Sequence, residues 1–204
     1  ASATTATPAS AGDWQVSTID MMTLPPADPD APDIYPLPSG IGLFVEAARD
    51  AMGNPVVAYY DRENGDLKVA RWSGAAFAAP VVMAGANADS GWYPSVAVDG
   101  AGDVHVAYQG ADHDDVFYKN TMTNAQELVD DGYRIVGTTP DGLPKPEYHF
   151  VGSDTQVVLT GNGPMVVYQD ATSHELLVAD KSGAMGAWRP QALAGNEMEW
   201  KGAY

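Results

Sequence analysis

Three stretches of the chain align on one another without a gap: GNPVVAYYDRENGDLKVAR (53–71), GDVHVAYQGADHDDVFYKN (102–120) and NGPMVVYQDATSHELLVAD (162–180). Tyr59, Tyr108 and Tyr168 coincide, and Leu67, Val116 and Leu176 each follow eight residues later. The tyrosines stand 49 and 60 residues apart. An internal period of this size constrains the fold more than any single motif, because each copy must be one structural unit that leans on its neighbours. Within a copy, an apolar, β-branched and aromatic run is followed by a short polar turn and a second such run, the pattern of a β-hairpin.

Each hairpin is flanked by two further apolar, alternating segments. Upstream lie 44–50, 95–99 and 155–160; downstream lie 77–85, 133–137 and 188–195. The unit is therefore four short strands, a to d, joined by tight turns. A four-stranded unit repeating near fifty residues predicts an all-β fold, a β-propeller, with blades at about 44–85, 93–137 and 150–195. A β-sandwich is the competing all-β architecture, but it does not predict three in-register copies. The hairpin strands VVAYY, HVAYQ and MVVYQ are apolar on both sides, as expected of blades packed on both faces.

Residues 1–12, rich in Ala, Ser and Thr, read as a flexible lead-in. Segment 13–20 reads as a lone strand d that closes a ring, and the proline-rich stretch 21–43 as a surface loop. The segment ending at Tyr204 resembles Gly91–Ser95, just before a strand a. Three blades and two partial ones do not close a ring of four to eight. The expected partner is a second chain, either a C-terminal fragment of a cleaved precursor or another copy, that completes the propeller.

Charge sets the classes of partner. The formal net charge is −17, which disfavours nucleic acid and anionic membrane surfaces and favours cations or basic partners. No stretch is apolar and long enough to insert in a membrane as a helix. Without cysteine there is no thiolate metal site and no cysteine nucleophile. The Ala/Ser/Thr start without Met reads as the mature end of a secreted or periplasmic protein.

In such a unit the b–c turns and the d–a connections share one face, here 61–66, 110–115 and 170–175 with 21–43, 86–94, 138–154 and 196–204. The long loops and most acidic clusters fall on it, so it is the candidate functional face. His113, His149 and His174, with Asp112 and Asp115, are candidate ligands for copper or zinc, since imidazole and carboxylate suit both. Polar surface turns explain the same residues without a metal. Calcium is the third candidate, at Asp112, Asp114 and Asp115 or at Asp28, Asp30 and Asp33. Trp92, Tyr148 and Trp200 are candidates for stacking a glycan ligand. His105, on strand b, reads as a packed, hydrogen-bonded histidine.

The run Tyr59-Tyr60-Asp61 followed by Gly65-Asp66-Leu67-Lys68-Val69-Ala70-Arg71 resembles the sialidase-like, bacterial neuraminidase-repeat class of secreted propellers. The resemblance spans about residues 44–200 and implies fold and export. The Ser-x-Asp-x-Gly-x-x-Trp box of sialidases is absent from the sequence, and Arg49, Arg62, Arg71, Arg134 and Arg189 stand in no recognisable arginine-triad context. Two functions follow as expectations. One is a binding module that uses the loop-rich face for a glycan or a protein. The other is an enzyme on the same face, using a metal, or Asp61, Asp170 and Glu147 as acid and base.

Overall fold

The computed structural model describes residues 16–21, 40–85, 88–181 and 186–195. They form fourteen strands in four antiparallel sheets, with no helix among the described residues. Sheet 1 is the meander β1 (Ile41–Arg49), β2 (Pro55–Asp61), β3 (Asp66–Arg71) and β4 (Val81–Ala84). Sheet 2 is β5 (Ser90–Val98), β6 (Val104–Gly110), β7 (Asp115–Asn120) and β8 (Gln126–Asp130). A two-stranded ribbon follows, β9 (Tyr133–Thr138) with β10 (Pro144–Tyr148). Sheet 3 is β11 (Val151–Thr160), β12 (Gly163–Asp170), β13 (Glu175–Lys181) and β14 (Trp188–Gly195).

The repeat is carried by identical register. Tyr60 pairs with Leu67, Gln109 with Val116 and Gln169 with Leu176. Across the next gap Leu67 meets Ala84, Val116 meets Asp130 and Leu176 meets Ala194. The hairpin turns follow one plan as well. Gly65, Asp114 and His174 occupy the last turn position, each with positive φ (69°, 59° and 62°). Gly, Asp and His are among the residues that enter this left-handed region most readily.

Two apolar cores lie between the sheets. One joins Val56, Ala58, Leu67, Val69 and Met83 of sheet 1 to Val104, Val106 and Tyr108 of sheet 2. The other joins Ala107, Val116, Tyr118 and Val129 of sheet 2 to Val157, Val166, Tyr168 and Leu177 of sheet 3. Sheet 2 is buried on both faces, which is why β6 carries no clean polar alternation. The first strands lie together, with β5 packed against both β1 and β11.

Two sequence expectations change. The fourth strand of the middle unit is Gln126–Asp130, not 133–137. Segment 133–138 instead starts the ribbon that fills the connection expected to be a loop. Pro144 and Pro146 lie on β10, which pairs with β9 alone. Proline is tolerated there because an outer strand has one edge that needs no donor. The ribbon root turns at Gly132, where φ is +67° and a Cβ would lie 2.3 Å from the His149 carbonyl oxygen. Residues 16–21 belong to no sheet, and 1–15 and most of 21–43 lie outside the described residues.

Candidate functional site

The turn between the second and third strands of each sheet touches the entry to a first strand, so both lie on one face. The Arg62 amide donates to Gly40 O, Ala111 to Asp89 O and Ala171 to Phe150 O, at 2.8–2.9 Å. Ser90 N–H donates to Gly65 O, linking the β2–β3 turn to the start of the next sheet.

Among the described residues no three His, Asp or Glu side chains are grouped to hold a metal ion, so the structure does not bring His113, His149, His174, Asp112 and Asp115 together as the copper, zinc or calcium cluster the sequence suggested. Each has another setting. His113 is exposed in the β6–β7 turn. His149 places Nδ1 2.7 Å from Asp170 Oδ2. His174 takes the left-handed turn position that Gly65 fills in sheet 1. Asp112 Oδ2 accepts the Asp89 amide at 3.1 Å. Asp115 is raised above the usual carboxylate range by burial, with Asp131, Asp130 and Asp114 adding repulsion that His113 offsets in part. Asp28, Asp30 and Asp33 lie outside the described residues.

The carboxylates considered as acid and base are committed as well. Asp61 is buried, accepts from the Glu63 amide and Asn64 Nδ2, and lies 2.7 Å from Lys68 Nζ. Buried Asp170 accepts from the Thr172 and Ser173 amides, with Arg134 at 3.7 Å. Both cap the turns they precede. Glu147 is paired with Lys145 at 2.7 Å.

A tyrosine clamp is present in two of the three units, the first and the third. Tyr168 Oη donates to Asp130 Oδ2 at 2.6 Å, tying sheet 3 to the last strand of sheet 2. Burial alone would raise Asp130; hydrogen bonds from Arg134 (2.6 and 2.9 Å) and Tyr168 outweigh it and hold the carboxyl below its ordinary range. Tyr59 Oη donates in the same way to Asp20 Oδ2 at 2.8 Å, beside Lys68 at 3.1 Å. The middle unit replaces every polar part. Ala84 stands at the position of Asp130, Phe117 at that of Lys68 and Gly110 at that of Asp61. Phe117 stacks on Tyr108, and the Tyr108 hydroxyl, fully buried, has no hydrogen-bond partner among the described residues.

Two hollows remain. A groove of about 850 Å³ runs between β8 and β13–β14. Its charged groups are paired internally: Glu127 accepts from Lys181 Nζ and Trp188 Nε1, Asp130 from Arg134, Asp131 from the Tyr133 amide and Glu175 from Ser173. The second, about 170 Å³, lies where the first strands converge and is lined by Phe44, Val45, Glu46, Tyr93, Pro94, Asp154, Thr155 and Gln156. Phe44, Tyr93 and Asp154 are equivalent by register, two residues before Glu46, Ser95 and Gln156. All three have positive φ (51°, 45° and 51°) at a break in strand pairing. For bulky Phe and Tyr such a backbone is costly, and strain of this kind clusters where side chains are aimed for function.

The kinks bring aromatic rings together. Phe44 lies 4.5 Å from Tyr93 and 5.9 Å from Trp92 between ring centroids, and Tyr60 is 6.0 Å from Trp92. Asp89 Oδ1 anchors this group, accepting from Tyr60 Oη at 2.6 Å and Trp92 Nε1 at 3.1 Å. Burial and the Asp89 bond push Tyr60 up to about 12. Of the three expected stacking residues, Trp92 borders the hollow through this cluster. Tyr148 is 77% exposed on the ribbon, edge-on to Tyr133, and Trp200 lies outside the described residues. No arginine lines the hollow. Phe44 and Tyr93 gave no signal in the sequence, because a strand kink at a non-glycine residue leaves no compositional mark.

No family model matches the chain, and no curated protein is similar to it. Among solved structures, a luciferin-regenerating enzyme matches with a TM-score of 0.40 and 10% identity, over 78% of this chain and 48% of that one. The chain thus spans about half the length of that structure.

Proposed function

We propose that the chain is an arc of a secreted or periplasmic β-propeller that works as a binding module, holding a glycan or protein ligand on its loop-rich face. The observation that carries the binding reading is the hollow at the convergence of the first strands. It is walled by aromatic rings, aimed by three equivalent strained kinks, and lined by the carboxylates of Glu46 and Asp154. The ribbon β9–β10 adds an exposed Tyr133–Tyr148 pair to the same molecule.

The arc reading draws on two groups at its ends. Gln109 Nε2 donates to Val151 O, the first residue of the next sheet, at 2.9 Å. Gln169, its equivalent one sheet on, has a buried Nε2 with no partner among the described residues. A fourth sheet, from this protein or a second chain, supplies that acceptor. At the other end Asp20, which lies in no sheet among the described residues, accepts from Tyr59 as Asp130 does from Tyr168.

The test is a glycan array and a peptide array probed with wild type, Phe44→Ala and Tyr148→Ala. A ligand whose signal falls about tenfold or more in either variant is expected, in line with the share of binding energy that central aromatic residues carry. Blank arrays, or hits indifferent to both substitutions, would refute the reading.

A further inference from the structure

Building on that binding face, we infer that the hollow between the first strands takes a compact organic cation: a protonated amine, a quaternary ammonium or a guanidinium. Three observations converge. The first is charge. Glu46 and Asp154 line the hollow, both half-buried, and no Lys, Arg or His lines it with them. Neither carboxylate takes part in an ion pair or hydrogen bond among the described residues. Asp20, Asp61, Asp130, Asp170 and Glu127, by contrast, each have a cation within 4 Å. Partly desolvated carboxylates without a counter-charge favour a ligand that supplies one.

The second is the wall opposite. Phe44 and Tyr93 present rings 4.5 Å apart, and an aromatic face attracts a cation through its quadrupole. Aromatic rings with carboxylates are the combination that selects a cation; rings with neutral amides and hydroxyls would suit a sugar. The third is size. A space of about 170 Å³ admits a methylated ammonium or the head of an arginine or lysine side chain. The charge of −17 enriches cations around the molecule before any contact is made.

The chemistry has two sources, a free small cation or a basic side chain of a protein. The experiment is an amide-shift titration of the full 15N-labelled chain with tetramethylammonium and methylguanidinium, against the neutral analogues tert-butanol and N-methylurea. Saturable shifts confined to residues 44–46, 93–94 and 154–156 are expected with the cations and not with the neutral compounds. Glu46→Gln and Asp154→Asn should each weaken the cations several-fold, and the pair together about tenfold or more, while far-UV circular dichroism and the melting temperature stay those of wild type. Phe44→Leu, which keeps apolar volume and removes the ring, reads the aromatic contribution independently of the carboxylates.

A Gly-Lys-Gly peptide binding about tenfold tighter than tetramethylammonium would assign the source to a protein partner; equal affinity would assign it to a small cation. Neutral analogues that bind as well as the cations, or affinity unchanged in Glu46→Gln/Asp154→Asn, would overturn the inference. If the arrays yield a Phe44-dependent ligand while the cations fail here, the binding face stands and only the cationic class falls.

Discussion

Replacing Tyr by Phe at the three equivalent positions separates a clamp from an orphaned hydroxyl, because the ring and its packing are retained each time. Tyr168 donates to a carboxylate that is buried and ionised, so Tyr168→Phe removes a hydrogen bond to a charged group. Such bonds contribute about 1.5–3 kcal/mol, and because Arg134 still holds Asp130 we expect the low end, about 1.5–2 kcal/mol. Tyr108→Phe does the reverse. Its hydroxyl is fully buried with no partner among the described residues, and leaving such a group unsatisfied costs about 1–3 kcal/mol. Removing it should stabilise the protein by about 1 kcal/mol. Tyr59→Phe falls between, since Asp20 is partly exposed and solvent takes up some of the loss. For a chain of this size 1 kcal/mol moves Tm by roughly 2–4 °C. Thermal melts should therefore rank Tyr108→Phe above wild type and Tyr168→Phe below it by several degrees. If Tyr108→Phe destabilises as much as Tyr168→Phe, the hydroxyl has a partner and the reasoning from Ala84 and Phe117 is wrong.

Four further outcomes are expected. Asp130 is held below its unfolded value of about 3.9, so its stabilisation is complete above that pH and is lost as pH falls through the folded value. Asp130→Asn should thus flatten the acid limb of a pH–stability curve measured by urea unfolding. Asp115 is raised, so the opposite sign applies: its folded state favours the proton, stability falls as pH rises through the folded value, and Asp115→Asn should be more stable than wild type at neutral pH in the same assay. Gly132→Ala meets both a left-handed backbone and the His149 carbonyl, and should cost about 2 kcal/mol or more, seen as a lower Tm with faster hydrogen exchange in the ribbon. His174→Gly relieves a left-handed turn position and should gain about 0.5–1 kcal/mol in the same melt.

The hairpins at the heart of each sheet were legible in the sequence because three aligned tyrosines fixed register as well as period. The last strand of the middle sheet was not. Gln126-Glu127-Leu128-Val129-Asp130 buries only its final two residues, so it carries little apolar signal, while Tyr133–Gly137 is the better β sequence and belongs to an outlying ribbon. The surplus of eleven residues between the second and third tyrosines marked the place of an insertion but not its shape. At the candidate site, the shared face of the histidines and acids was legible, and their distances were not. The positions of His174 and Asp114 answer to backbone conformation, and the carboxylates of Asp61 and Asp170 accept from turn amides, none of which the sequence pattern revealed. The kinks at Phe44, Tyr93 and Asp154 emerge only when strand register is known.

The two junctions of sheet 2 differ in kind: one is closed by Tyr108, Phe117 and Ala84, the other by Tyr168, Asp130 and Arg134. An apolar seam is indifferent to protons and tightened by sulfate, whereas an ionised one loosens in acid. Lowering the pH removes the Asp130 charge from the seam between sheets 2 and 3, while at the other junction the Tyr60–Asp89 hydrogen bond is the part that answers to protons. A protease added to acidified protein is expected to cut first in the 131–150 segment.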